Sequence, residues 1–246
     1  MELLLKNKIA IVTGGSQGYG MGIAKVLKSS GCKVWIIARN KSNLKKTALK
    51  LSLNYIQADI SKSEDWNKIF DTVIGEDKKI DILVNNAGAG IKVDNLEKFS
   101  DKDIEKSIAI NLTSHILGSN RAVKYMKKQK SGTIFNISSA CAENAWPKFT
   151  VYSAAKAGIV QFSKCLHTEV KDIGIRVIAV IPSWGATNFS KAAGVKNDIT
   201  NKPKIREKIM QPEEMGDLIV SLYKLPKHLT VPYIRVQPMI QDITPM

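Results

Sequence analysis

Two hydrophobic patterns alternate along this chain, and that alternation limits what it can fold into more than any other feature. Short, nearly continuous runs of Ile, Val and other apolar residues recur at Ile9–Thr13, Lys33–Ala38, Asn54–Gln57, Ile82–Asn85, Thr133–Ser138, Arg176–Ile181 and Ile234–Gln237. Runs of this kind suit parallel strands that are covered on both faces. Longer stretches of helical character lie between them, near residues 20–29, 41–51, 63–75, 101–129, 151–172 and 212–224. Strand–helix alternation from end to end predicts an α/β fold: one doubly wound parallel sheet of about seven strands with helices on both faces. No Pro/Gly/Ser linker, internal repeat or low-complexity tract interrupts the 246 residues, so a single domain is expected over 1–246.

Composition narrows the class of function. The chain carries 37 Lys and Arg against 22 Asp and Glu, a formal net charge of +15. An excess of this size raises the question of a polyanionic partner. The basic residues are nevertheless dispersed at helical spacings, as at Lys41, Lys45, Lys46 and Lys50, without the dense run and interleaved aromatics of a nucleic-acid surface. No acidic residue lies between Glu2 and Asp59, so the first part of the chain is strongly cationic and suits a local anion site. Cys32, Cys141 and Cys165 form no CxxC pair and leave one over, which fits a reducing cytoplasm better than a disulfide framework. The opening MELLLKNKIAIVTGG has Lys6 and Lys8 inside its apolar stretch and reads as the approach to a first strand, not a signal peptide. No apolar run approaches the ~20 residues of a membrane-spanning helix, so neither membrane nor nucleic acid is expected as a partner.

The run Thr13-Gly14-Gly15-Ser16-Gln17-Gly18-Tyr19-Gly20 follows the first strand and opens a helix. Glycines there allow a tight turn and close approach to a pyrophosphate, whose charge the free N–H groups of the helix start favour. Gly14, Ser16, Gln17, Gly18, Tyr19 and Gly20 are therefore candidate dinucleotide-binding residues, and the sheet is expected to be of Rossmann type, although the spacing is GxxxGxG and not GxGxxG. An acid at the end of the second strand would hold a free ribose 2′-OH, whereas a 2′-phosphate needs a cation. Ala38 stands where the acid would be, and Arg39 follows it, with a planar fork suited to phosphate. Ser16 can add a hydroxyl to the same phosphate. These residues predict NADP(H).

Tyr152-Ser153-Ala154-Ala155-Lys156 opens a further helix. Positions i and i+4 share a face, so the Lys ammonium can approach the phenol and lower its pKa from about 10. Tyr152 then serves as general acid/base toward a carbonyl or alcohol. Ser139, at the carboxyl end of the fifth strand, can donate to a substrate oxygen as charge develops on it. Asn85-Asn86-Ala87-Gly88 ends the fourth strand, and Asn111 lies in the long helix that follows.

Taken together, TGGSQGYG, Ala58-Asp59-Ile60, Asn85-Asn86-Ala87-Gly88, Ile110-Asn111-Leu112, Ile137-Ser138-Ser139, YSAAK and the Pro182–Thr187 spacing resemble the short-chain dehydrogenase/reductase family, in order and over essentially the whole chain. The resemblance implies four catalytic roles: Tyr152 as general acid/base, Lys156 lowering its pKa and binding the nicotinamide ribose, Ser139 orienting the carbonyl, and Asn111 holding a water in a proton relay. It also implies that Asp59 and Ile60 lie at the adenine, Asn86, Ala87 and Gly88 beside the adenosine ribose, and Ile181, Pro182 and Thr187 at the nicotinamide carboxamide. The chain departs from the family pattern at three places. Tyr19 stands where Ile is usual, Ser183 replaces the Gly of a Pro-Gly pair, and the tail from Leu225 to Gln241 lacks a terminal Gly-Gly. That tail is similar to the NADP-dependent 3-hydroxy acid dehydrogenase branch.

The expected activity is hydride transfer between NADP(H) and a small carbonyl or secondary alcohol, such as a short 3-hydroxy or 3-oxo acid, an aldehyde or a ketone. A 3-oxoacyl-(acyl-carrier-protein) reductase is the alternative enzyme, and a non-catalytic dinucleotide sensor the alternative class. The resemblance further suggests a homotetramer, or else a homodimer. Residues 183–211 are polar, follow a strand's carboxyl end, and are expected to form a substrate-binding flap. Trp146 and Trp184 flank the catalytic Tyr and this flap, with packing and substrate contact both open, as pocket wall and plain burial are for Cys141. His115, His167 and His228 have no metal-ligand spacing, so no metal is expected. The Lys-rich run 124–130 suits a helix C-terminus.

Overall fold

A computed structural model describes residues 5–195 and 198–241. Seven parallel strands, β1 (Ile9–Thr13), β2 (Lys33–Ala38), β3 (Asn54–Gln57), β4 (Ile82–Asn85), β5 (Gly132–Ile137), β6 (Ile175–Pro182) and β7 (Tyr233–Val236), form one sheet in the order β3-β2-β1-β4-β5-β6-β7. The first four strands span the expected residues. Strands β5 and β6 each start one residue early because Gly132 pairs with Ile175, and β7 is shifted one residue toward the N-terminus by pairing Tyr233 with Ala179. The expected domain span 1–246 and the flap 183–211 include residues 1–4, 196–197 and 242–246, which lie outside the described residues.

The helices are α1 (Gly18–Ser29), α2 (Lys41–Leu51), α3 (Ser63–Asp77), α4 (Asp101–Ile108), α5 (Ser114–Gln129), α6 (Thr150–Val170), α7 (Phe189–Ala192), α8 (Pro203–Arg206) and α9 (Pro212–Tyr223). Strand side chains alternate between faces, and the core divides accordingly. Ala10, Val12, Val34 and Ile36 pack with Ile23 and Leu27 of α1, Leu44 of α2 and Met215 and Ile219 of α9. Ile9, Ile11, Trp35 and Ile37 face the other way, onto Trp66 and Phe70 of α3 and Ala122 and Met126 of α5. Both faces are thus covered over the central strands, so β1, β4 and β5 are buried throughout, whereas the edge strands β3 and β7 keep exposed positions.

The expected single helix over 101–129 is divided. A capping box between Ser100 and Asp103 starts α4, and a π-helical turn at Ala109–Thr113 separates it from α5. Such a turn widens the helix by one residue and re-aims the side chains it carries. Its central residue is Asn111.

Neighbouring strands run in sequence order outward from β1 to β3 on one side and from β4 to β7 on the other. That reversal between β1 and β4 opens a crevice at the carboxyl edge of the sheet, the usual ligand position in open α/β folds. Trp66 fills the α3 side of the core with no exposed surface, and its indole N–H donates to the Ile60 carbonyl at 2.8 Å. Replacing it (Trp66→Ala) should cost about 3–5 kcal/mol, read as a lower urea midpoint.

Candidate active site

The crevice floor is fastened by Thr13, the last residue of β1. Its hydroxyl accepts from the N–H groups of Asn86 and Ala87, both at 3.0 Å, and the Asn86 amide donates back to the Thr13 carbonyl at 2.9 Å. Gly14 follows in the left-handed region at φ +67°, and a side chain at Gly20 would run into the Gly14 carbonyl. The turn therefore needs glycine at both positions. Helix α1 begins with no side-chain cap and no acid in its first turn, which leaves its N–H groups to an outside acceptor.

Arg39 ends β2 on the surface, and its backbone carbonyl accepts from the Gln57 amide. The Asp59 carboxylate is turned to Ser61, accepting from its N–H at 3.1 Å and its hydroxyl at 2.8 Å, while Ala58 and Ile60 line the cavity beside it. Partial burial opposes ionisation of Asp59, but the Ser61 bonds and the Arg39 and Lys62 charges hold its pKa below the usual carboxylate value.

Tyr152 and Lys156 lie in the first two turns of α6. That helix is set against the sheet by buried polar contacts. The Ser138 hydroxyl donates to the Lys156 carbonyl at 2.7 Å, and Asn136 donates to the Ser163 hydroxyl at 2.9 Å. Asn85 in turn donates to Asn136 at 2.8 Å and to Ser119 of α5 at 3.1 Å. Lys156 is 3% exposed, and its ammonium donates to the Ile137 carbonyl at 3.0 Å. It lies 5.7 Å from the Tyr152 ring centroid. Burial draws Lys156 down from 10.5 to about 7. Burial also pushes the Tyr152 phenol above its usual value, aided by Cys141 and opposed by the Ser139 hydroxyl. The expected lowering of the phenol by its i+4 lysine is thus not what the protein alone produces. Desolvation outweighs attraction to a lysine that is itself short of full charge.

Asn111 is fully buried and clamps the backbone after β4. Its amide donates to the Ala89 carbonyl at 2.8 Å and accepts from the Ala89 N–H at 2.9 Å. Ser139 caps a short turn by accepting from the Cys141 N–H at 3.2 Å. One cavity of about 950 Å³, near the top of the usual range for small-molecule sites, brings the two halves together. Its wall includes Gly14, Ser16, Gln17, Gly18, Tyr19 and Arg39, then Ile60, Asn86, Ala87 and Gly88, and finally Ser139, Tyr152, Lys156, Pro182 and Thr187. Gly20, Asp59, Asn111 and Ile181 support this wall from behind or beside it. Residues 13–20 and Arg39 fit a phosphorylated dinucleotide: a Cβ at Gly14, Gly15 or Gly20 would collide with the atoms packed against the turn, the helix start is uncapped, and a cation stands at the end of β2.

Residues 8–198 match the profile of the short chain dehydrogenases. The chain belongs to this family. The 3-oxoacyl-(acyl-carrier-protein) reductase of Chlamydia muridarum is 37% identical over 82% of this chain and 83% of its own length. Among solved structures, a serine dehydrogenase complexed with NADP+ superposes with a TM-score of 0.87 at 27% identity, over 95% of this chain and 96% of its own. A 3-ketoacyl-(acyl-carrier-protein) reductase from Brucella melitensis complexed with NADH gives 0.86 at 26%, over 95% and 98%. The protein is accordingly an oxidoreductase of the short-chain dehydrogenase class.

In this dehydrogenase the departures from the family pattern have structural partners. The Tyr19 ring reaches the base of the 183–211 segment, where a side chain at Gly185 would collide with its hydroxyl. That hydroxyl is buried without a hydrogen-bond partner among the described residues, and burial together with Glu214 raises its pKa. The two ends of the segment are tied to each other. Gly185 and Met210 form a bridge, with Ala186 N–H donating to the Met210 carbonyl and Met210 N–H to the Trp184 carbonyl. Ser183 donates its N–H to the Val236 carbonyl and so prolongs the β6–β7 pairing. Cys141, Trp146 and Trp184 all line the cavity.

Other site residues had no signal in the sequence. Phe149 and Phe189 flank Tyr152, with ring centroids at 6.2 and 5.1 Å. His115 lies buried beneath the site, where burial and then Lys156 hold its pKa well below the ordinary value. No helix of the described residues is long and apolar enough to cross a membrane.

The unfolded chain binds a proton at Lys156 up to pH 10.5, whereas the folded protein releases it near 7. Lysine burial therefore penalises folding fully below pH 7, and the penalty lifts as pH rises from 7 toward 10.5. The variant Lys156→Met should exceed the parent in thermal midpoint most at pH 6, and the difference should shrink by pH 9.5.

Proposed function

We propose that this short-chain dehydrogenase is an NADP(H)-dependent reductase and dehydrogenase of small carbonyls and secondary alcohols. One observation carries the reading: Tyr152, Ser139 and Lys156 share a cavity with the glycine loop and Arg39. NADP(H), when bound, supplies the hydride for a carbonyl carbon or accepts it from an alcohol carbon. Gly14, Ser16, Gln17, Gly18, Tyr19 and Gly20 form its pyrophosphate cradle, and Arg39 with Ser16 receives the 2′-phosphate. Ile60, Asn86, Ala87 and Gly88 flank the adenosine half, with Asp59 fixing the turn beside it, while Pro182 and Thr187 flank the nicotinamide half. A serine dehydrogenase of the same fold is complexed with NADP+, which supports the cofactor assignment.

Tyr152 transfers the proton. Its phenol is held protonated at neutral pH by burial, so it is ready to donate to a carbonyl oxygen that becomes an alkoxide. The Ser139 hydroxyl orients that oxygen and donates to it as charge grows. Lys156, drawn to about 7, can hold or release a proton in the working pH range and so resupply the phenol. Asn111 fixes the Ala89 backbone and, with it, the wall facing Lys156. Residues 183–211 form the substrate-binding flap. Similarity to the chlamydial reductase favours a second reading, in which the substrate is a 3-oxoacyl chain on a carrier protein. Turnover of a free β-keto ester beside a carrier-bound substrate separates the two.

Tyr152→Phe should retain NADPH binding and lose most turnover in an NADPH absorbance assay. The parent should show a higher kcat/KM with NADPH than with NADH. A charge-assisted contact contributes about 1.5–3 kcal/mol, so Arg39→Ala should raise the KM for NADPH by roughly tenfold or more. The KM for NADH should change little.

A further inference from the structure

We propose that the substrate end of the cavity is built for an uncharged carbonyl carried on an apolar ring, and selects against substrates that bear a carboxylate. The inference rests on the reading of Tyr152 as the proton-transfer residue, because it concerns the walls around that phenol.

Two aromatic rings flank Tyr152. Phe189 comes from α7 with its centroid 5.1 Å away and a 49° tilt, and Phe149 stands edge-on at 6.2 Å and 70°. Trp146, one turn before Phe149, and Trp184, at the neck of the 183–211 segment, line the same cavity. Such walls offer ring faces and edges to an apolar ring, and against the lost hydration of a carboxylate they set only the single N–H of each indole.

The charges near this end point the same way. Among the described residues, the charged side chain that the 183–211 segment contributes to the cavity is Asp198. Partial burial works against its ionisation, but hydrogen bonds from Ser190 and Thr200 hold its carboxyl below the usual range, so it is anionic at neutral pH. Of the cations in the wall, Arg39 lies at the end of β2, at the proposed 2′-phosphate position, and Lys156 donates to the Ile137 carbonyl with its charge disfavoured by burial. Among the described residues, the segment side of the cavity wall thus offers a substrate carboxylate no lysine or arginine and adds a like charge; Arg206, whose charge also acts on Asp198, is not part of that wall.

The test uses one ketone in two charge states, methyl 4-acetylbenzoate and 4-acetylbenzoate, with acetoacetate as a small acid. Binding to the NADP+-saturated enzyme is read from tryptophan fluorescence, which Trp146 and Trp184 make sensitive to the cavity, and turnover from NADPH absorbance. The ester should bind about tenfold or more tighter than either acid, the scale on which an apolar pocket discriminates, and should be reduced with the higher kcat/KM. Equal or tighter binding of an acid overturns the proposal, as does failure of the ester to bind. Phe189→Ala should weaken ester binding about tenfold while NADPH affinity is unchanged, since a wall residue contributes on the same scale. Unchanged ester binding also overturns it. Tyr152→Phe separates this inference from its premise. Loss of turnover with the ester preference intact supports both, whereas full turnover removes the role of Tyr152 and leaves the binding preference to be judged alone.

Discussion

The site depends first on how β1 and β4 are joined where the windings of the sheet reverse direction. Parallel strands that feed helices to opposite faces separate at that point, and an unfastened gap would expose backbone groups inside the fold. Thr13 closes it with one hydroxyl shared between the N–H groups of Asn86 and Ala87, and Asn86 returns a bond to the Thr13 carbonyl. The glycine loop leaves the sheet one residue later, and the Ala87–Gly88 wall leaves it on the opposite side. The two walls of the cavity thus share one hinge of hydrogen bonds that holds each in place relative to the other, and the glycine loop is tied to β2 as well, Gly14 and Gly15 donating their N–H groups to the Ile37 carbonyl.

A second layer of buried polar contacts carries that order to the helix that bears Tyr152 and Lys156. Asn85, Asn136 and Ser163 link β4, β5 and α6 in a chain of amide and hydroxyl bonds, and Ser119 brings in α5. Ser138 then pins the Lys156 carbonyl. Among the described residues, an ammonium in such surroundings has no carboxylate among its hydrogen-bond partners, only the Ile137 carbonyl. Burial of this kind is costly, and titratable groups so perturbed cluster at functional sites.

Much of this was legible from the sequence, for reasons that can be named. Strands covered on both faces must be apolar along their length, so Ile9–Thr13, Lys33–Ala38 and Ile82–Asn85 announced themselves with their bounds. Close backbone approach demands glycine, so the loop after β1 was visible. The π-helical turn at Ala109–Thr113 was not, because its residues suit an α-helix equally well and only packing decides the extra residue. Phe189 sits in a polar stretch with no periodicity, and its place beside Tyr152 comes from the path of the segment between Thr187 and Met210, which no local pattern encodes. The spacing of Tyr152 and Lys156 set them on one helical face. Burial depth, which reverses the expected electrostatics of the pair, depends on the sheet beneath them.

The neck of the 183–211 segment has a consequence for how such a protein can change over time. Gly185 and Met210 are held side by side by paired backbone bonds, so the chain enters and leaves the segment at nearly the same point. Within the stretch, Thr187 packs beside Gly18 of the glycine loop and Phe189 beside Tyr152 of α6, and lengthening the rest of a closed loop costs little. The part of the segment beyond those contacts can therefore vary in length and sequence while the sheet and the cavity wall beneath stay as they were. Thr187, Phe189 and the wedge of Tyr19 against Gly185 mark the points at which such a change has to be matched to the fold.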